Sequence, residues 1–322
     1  TGRSFRAAPR EALVRTGQAR AVVRAEATSG GRQVLLEAEL PVSGPARVQV
    51  NRQPVRRRAE LAGALRTSVF SPDDLDLVQG GPAGRRAYLD EALLGRHPRL
   101  EALVSDVERI LRQRAAVLRQ AGGRPGAEVL TTLDVWDSRL ATAGQALAEA
   151  REALTDELAP LVSAAYGRLA GAGDDVGLRY RRSWAGDLEE ALQAARSDDL
   201  RRQATTVGPH RDELDIAVAR RPARTHASQG EQRSAALALR LAVHQLATAD
   251  HGVPPVLLLD DVFSELDARR SAALVEQLPA GQVLLTTAVD PPAAVSADRV
   301  VEVAAGRLLG VAGGGSGSGE VA

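Results

Sequence analysis

The chain has 322 residues, 44% of them hydrophobic, enough for a sizeable core in two domains or in one domain with a large insertion. Its 41 basic and 41 acidic residues cancel to zero net charge, so any affinity for nucleic acid has to come from a local patch. Cysteine is absent, which excludes disulfides, thiol catalysis and cysteine-based zinc sites, and an aromatic content of 2% argues against base stacking as a binding mode.

Every basic residue is arginine; there is no lysine. The five histidines, His97, His210, His226, His244 and His251, form no HxxxH or HExxH pair, which argues against a metalloprotease-type site. No apolar run approaches the ~18 residues of a membrane span, and no signal peptide is visible, so the expectation is a cytoplasmic protein without a membrane partner. The sequence holds no methionine, even at position 1, and its start reads as an internal point of a longer gene product.

In chain order, alternation predicts strands over residues 21–27 and 33–40, with Ser29, Gly30 and Gly31 as the turn, and a third strand over 47–50. Val69 and Phe70 read as a strand end. Ser71 is placed to cap the next helix, Pro72 suits its first position, and Asp73 and Asp74 favour its N-terminus. A helix is predicted over 82–94. Apolar residues at helical spacing from Leu100 to Leu118, a glycine-rich break at 122–126, and a second run over 129–169 predict a helical hairpin, an arm or small all-α domain. Strands then follow at 178–184, 213–218, 255–260 and 282–287, helices at 188–205, 228–249 and 266–278, a last strand at 299–303 and a flexible glycine-serine tail.

The stretch PVLLLDD, residues 255–261, reads as a strand buried on both faces with acids at its carboxyl end, where α/β sheets place ligands. In phosphate-handling ATPases the first acid, here Asp260, helps to hold Mg²⁺, and the second, Asp261, polarises the attacking water. A buried strand ending in a helix-capping Asp accounts equally for the strand alone. Ser264, Glu265, Leu266 and Asp267 follow directly. Taken alone, Ser264 is an N-cap and Asp267 a first-turn acid; at this spacing after Asp260 they match the D-loop of ABC-type ATPases.

Ser228, Gln229, Gly230, Glu231 and Gln232 open a long helix 32 residues before Asp260. A hydroxyl, free backbone N–H groups and the positive helix end make an anion site suited to a γ-phosphate. Ser228 and Glu231 also fit a capping box, and both readings hold together. Signature helix, Walker B strand and D-loop in this order are specific to ABC-type ATPases. The glycine-rich phosphate loop GxxxxGK(S/T) is missing, since no lysine exists to fill it, and is expected upstream of Thr1.

The stretches FSPDDL at 70–75, GRRAYLD at 84–90, Trp136 with Asp137, GPHRD at 208–212, SQGEQRSA at 228–235 and LLDDVFSELD at 258–267 resemble the RecF family of bacterial recombination-mediator ATPases. That resemblance implies an α/β ABC/SMC-type ATPase head, a P-loop NTPase-like sheet with antiparallel strands in its first lobe and an inserted all-α arm. It divides the chain into a partial first lobe (1–95), an arm (96–172), a lobe with signature, Walker B and D-loop (173–310) and a tail (311–322). It further implies ATP and Mg²⁺ as cofactors. Ser228, Gln229, Gly230 and Gln232 would meet ATP bound on a partner subunit, Asp260 would hold the metal, Asp261 would stand at the catalytic position, and Asp267 would lie at the dimer seam. Thr286 and Thr287 stand where transporters carry a switch histidine, which fits slow, DNA-dependent hydrolysis.

The implied function is DNA replication and recombinational repair: an ATP-dependent homodimer on gapped or single-stranded DNA, working with recombination mediator proteins, aiding recombinase loading and SOS induction. The alternative for a chain without the phosphate loop is a non-catalytic fragment acting as a partner-binding or structural module. A transporter subunit is disfavoured, because its helical subdomain is compact. Arg56, Arg57, Arg85 and Arg86 are candidate DNA-phosphate contacts, weighed against solvated helix faces. His210 reads either as a core or turn histidine or, together with Arg211, as a neighbour of the nucleotide or DNA face.

Overall fold

The computed structural model describes residues 10–55, 58–121, 126–171 and 175–313. Arg56, Arg57, the break at 122–125 and the glycine-serine tail lie outside the described residues.

After a 3-10 turn at Arg10–Leu13, strands β1 (Arg20–Ser29), β2 (Arg32–Pro41), β3 (Arg47–Val50) and β4 (Gln53–Pro54) form an antiparallel meander in sequential order. The turn between β1 and β2 uses Gly30 and Gly31 at φ of 56° and 75°, a region that glycine enters without steric cost. Helix α1 (Arg58–Ala64) leads to β5 (Thr67–Phe70), and a 3-10 turn at Pro72–Leu75 starts as predicted at Pro72. Short α2 (Asp76–Gln79) and α3 (Pro82–Arg96) follow.

Beyond a 3-10 turn at Pro98–Leu100, α4 (Glu101–Ala121) and α5 (Ala127–Ala170) pack along one another. Helix α5 has 44 residues, about 66 Å at the α-helical rise, and continues through Pro160. Next come β6 (Val176–Arg181), α6 (Leu188–Arg202), β7 (Glu213–Val218), β8 (Arg221–Pro222), α7 (Ala223–His226) and α8 (Gln229–His251). The chain then forms β9 (Val256–Asp260), a 3-10 turn at Val262–Glu265, α9 (Ala268–Glu276), β10 (Val283–Thr286), β11 (Arg299–Ala304) and β12 (Arg307–Gly313). The strand expected to be last, over 299–303, is instead the first arm of a hairpin, because Ala305 and Gly306 adopt positive φ and reverse the chain.

Parallel β9 lies between β10 and β5, while β6, β7 and β8 form an antiparallel sheet. Helix α5 binds the parts together. Its apolar stripe of Leu147, Leu154, Leu158, Val162 and Tyr166 joins one core with Ala235, Ala238, Leu239 and Ala242 of α8 and Val176 of β6. Burying each such leucine or valine contributes about 1.5–3 kcal/mol before entropy is counted. Mid-helix Gly144 belongs to the same packing: a Cβ there would lie 2.9 Å from Leu188 Cδ2 and 3.1 Å from Pro209 Cδ. Among the described residues no helix is long and apolar enough to cross a membrane.

Candidate functional site

The parallel register sets the acidic edge. Leu257 and Leu259 of β9 are fully buried, whereas Val256, Leu258 and Asp260 are half-buried. The strand is therefore buried on one face and half-covered on the other, where a strand buried on both faces was expected. The pairing places Thr286 opposite Asp260, and the Thr286 hydroxyl donates to Asp260 Oδ1 at 2.7 Å. Thr286 thus orients the first acid. Asp261 turns the chain with φ 50° and ψ 35°, left-handed backbone that an Asp tolerates better than most residues. Its N–H donates to Thr286 O at 3.0 Å, and the Ser264 hydroxyl donates to its carbonyl and to Oδ2 at 2.9 and 3.0 Å. Strain of this kind, about 1–3 kcal/mol, persists where surrounding bonds over-determine it.

Ser228 caps α8 as the sequence reading expected. Glu231 N–H donates to Ser228 Oγ at 3.3 Å, and Ser228 N–H donates to Glu231 Oε2 at 2.6 Å. These bonds, and then the charge of Arg270, hold the Glu231 carboxyl below its usual range. Ser228 and Gln229 are exposed and Gly230 is half-exposed. Gln232 is different: it is 6% exposed, donates to Ala223 O at 3.0 Å and accepts from Gln79 Nε2 at 2.6 Å. Its place among the expected nucleotide contacts is corrected accordingly: one helical turn from the cap it faces inward, where it ties α8 to α7 and α2.

In the D-loop the cap falls on Asp267, whose Oδ1 accepts from Arg270 N–H at 2.8 Å, and Ser264 holds Asp261 instead of capping a helix. Asp267 Oδ2 pairs with Arg270 Nη1 at 2.5 Å. Arg270 also lies over Gly230, so the D-loop and the signature turn meet. Beside them a shallow pocket is lined by Ser71, Pro72, Asp74, Arg233, Asp261 and Leu266, where β5 and β9 end against α8.

The candidate DNA residues divide. Arg85 is 7% exposed; its guanidinium clamps Glu213 at 2.7 and 2.8 Å and donates to Gly80 O at 2.9 Å. Arg86 is half-buried and donates to Asp212 O at 2.8 Å. Arg85 sits inside the joint between α3 and β7, which corrects its expected place on an open phosphate-binding face, whereas Arg86 is only half-buried beside it. His210 folds inward as well, while Arg211 beside it stays exposed. Thr205 O accepts from Arg211 and lies 3.0 Å from His210 Nε2, and burial lowers the imidazole to about 4.

Periodicity did not foresee a buried ionic junction. Arg114, with no exposure, donates to Asp137 Oδ1 and Asp199 Oδ2, both at 2.6 Å, and to Thr205 Oγ1 at 2.9 Å. Arg196 adds a second bond to Asp137 at 2.5 Å. Nearby, Arg151 clamps Asp90 at 2.8 Å, and Tyr180 and Ser183 N–H donate to Asp212 at 2.5 and 2.7 Å. The only sequence signal was placement: Asp90, Asp137 and Asp212 each lie in a family-like stretch.

The fold is a mixed α/β head in which parallel β9 carries acids at its carboxyl end beside helices capped by Ser228 and Asp267, the place where α/β sheets put ligands. A comparison with models of known protein families matched none. The chain is 46% identical over 318 residues to the DNA replication and repair protein RecF of Frankia alni, covering 92% of this chain and 84% of that one. It superposes on the solved structure of the recombination mediator protein RecF with ATP, of the RecFOR pathway, with a TM-score of 0.84 at 26% identity. The match covers 95% of this chain and 84% of that one, and the corresponding structure with ATPrS gives a TM-score of 0.82 over the same shares. The chain belongs to the RecF family of DNA replication and repair proteins.

Proposed function

We propose that this chain is the signature and Walker B bearing part of an ATP-dependent dimeric repair ATPase that binds DNA, aids recombinase loading at gaps and contributes to SOS induction. The observation that carries the proposal is spatial: Gly230 and Asp267 meet through the Arg270 guanidinium, and Ser228 and Asp267 stand exposed at the starts of their helices. In this reading residues 1–95 and 173–310 form the ATPase head, 96–172 the arm and 311–322 the tail. The protein works in the cytoplasm with recombination mediator partners.

The donor chemistry at the strand end fits magnesium. It is all oxygen, with Asp260 oriented by Thr286 and Asp261 next to it. Magnesium takes one or two carboxylates and leaves its other positions to phosphate and water. Among the described residues no cluster of three or more acidic or histidine groups forms a protein-only cage, in keeping with that mode. For ATP the fit is to one side of the site. The 322 residues contain no lysine and hence no GxxxxGK(S/T) loop, whereas Ser228, Gln229 and Gly230 present a hydroxyl and helix-end N–H groups to an anion. Bound ATP with its metal would supply the phosphoanhydride whose cleavage releases the dimer.

The chain's own residues then divide the work. Ser228 and Gly230 take the phosphate of the nucleotide held by the partner subunit. Asp267 seats the seam, and Asp261, pinned by Ser264, polarises water. DNA contact is sequence-independent and weakens with salt, since it is made to phosphates. Asp260→Asn in the full-length protein is expected to lower magnesium-dependent ATP turnover by at least about tenfold, because a neutral amide replaces a carboxylate ligand. Wild-type turnover in a steady-state assay removes Asp260 from this role.

A further inference from the structure

The contact between the two motifs is made by one side chain. An ideal Cβ on Gly230 would lie 2.7 Å from Arg270 Nη1, 2.9 Å from Cζ and 3.0 Å from Nη2, so the guanidinium lies across the glycine. Only a residue without a side chain admits that approach. The same guanidinium reaches Asp267 Oδ2 at 2.5 Å, and Asp267 Oδ1 accepts from the Arg270 backbone at 2.8 Å. Arg270 is held on both sides: its side chain is 25% exposed, against 52% for Asp267, and its Nε is enclosed without a hydrogen-bond partner.

Helix stability does not explain this placement. A cation at a helix N-terminus opposes the dipole and costs roughly 0.3–1 kcal/mol. The carboxylates of Asp267 and Glu231 offset that cost here, and Arg270's charge in turn helps keep Glu231 ionised after the bonds from Ser228. Ser228 and Glu231 bond within one motif, Arg270 and Asp267 within the other, and the Arg270 guanidinium crosses between them at Gly230. An Arg–Asp pair at i,i+3 on α9 would form without Gly230, and a capped α8 would form without Arg270. What requires both is a fixed relation between the signature turn and the D-loop.

We propose that Arg270 is a positioning residue that locks the D-loop to the signature turn, so that Asp267 and Ser228 address the partner subunit's nucleotide as one rigid unit. This rests on the trans-site reading above. The flat fork of arginine is essential to it: lysine keeps the charge but cannot lie across Gly230 while pairing with Asp267.

The test titrates ATP against dimerisation of the full-length protein by light scattering. Arg270→Ala raises the ATP concentration for half-dimerisation by about tenfold, a usual size for coupling between sites. Arg270→Lys recovers only part of the loss. Gly230→Ala displaces the guanidinium by itself, so its loss and that of Arg270→Ala are less than additive in a double-mutant cycle. Additive losses, or full rescue by lysine, overturn the proposal even if Arg270→Ala is impaired. Ser228→Arg separates the two levels of inference. If it abolishes dimerisation while Arg270→Ala behaves as wild type, Arg270 alone loses its role. If Ser228→Arg also dimerises normally, the trans-site reading falls and this proposal falls with it.

Discussion

Two sets of polar and charged residues in this chain do opposite things. The inner set, Arg114, Asp137, Asp199, Arg151 and Asp90, is largely removed from water and joins elements far apart in sequence: α4 to α5 and α6, and α3 to α5. The outer set, Ser228, Glu231, Asp267 and Arg270, bonds chiefly within three residues and leaves its helix ends open. Buried ion pairs hold a geometry at high desolvation cost and leave nothing for a ligand. Local pairs at exposed helix ends cost little and keep hydroxyl and N–H groups available. A charge motif in sequence is therefore a poor guide to binding until its partners are known, and Arg85 and Arg86 illustrate the point.

The contrast makes measurable predictions. Asp137→Ala removes one partner of a guanidinium with no exposure and is expected to cost about 3–5 kcal/mol of stability, read as a lower denaturation midpoint. A loss below about 1 kcal/mol, the range of surface pairs, would erase the distinction between the sets. A smaller effect is expected at His210. Its folded value of about 4 lies below the ordinary 6.5, so the unfolded chain takes up the proton first. That stabilisation is complete above pH 6.5 and is lost as pH falls towards 4, at most about 3 kcal/mol at 1.36 kcal/mol per unit. His210→Gln should flatten the stability profile in that window; an unchanged slope would place the imidazole in water.

The sequence made the outer set legible because its signals are local. A cap at Ser228, a box closed by Glu231 and acids at the end of an apolar strand are patterns of a few residues. Helix and strand positions were legible for the same reason, with the 213–218 strand and the helix starting at Pro82 found as expected. The inner set was not legible. Arg114 meets Asp199 across 85 residues, and no periodicity announces such a pair. Gln232 was misplaced because spacing within a motif does not say which side of the helix faces the core. The second arm of the final hairpin was missed because its turn, Ala305 and Gly306, carries a weak turn signal.

In the proposed dimer the signature edge of one subunit completes the site whose acids belong to the other. Ser228→Arg and Asp260→Asn, each made in the full-length protein, disable opposite sides of that composite site. Mixed before assay, the two variants can form heterodimers in which one site keeps both an intact Ser228 and an intact Asp260. Steady-state ATP turnover of the mixture is the most direct measurement. Mixing is expected to restore hydrolysis that neither variant has alone; a mixture as inactive as its parents contradicts a composite site.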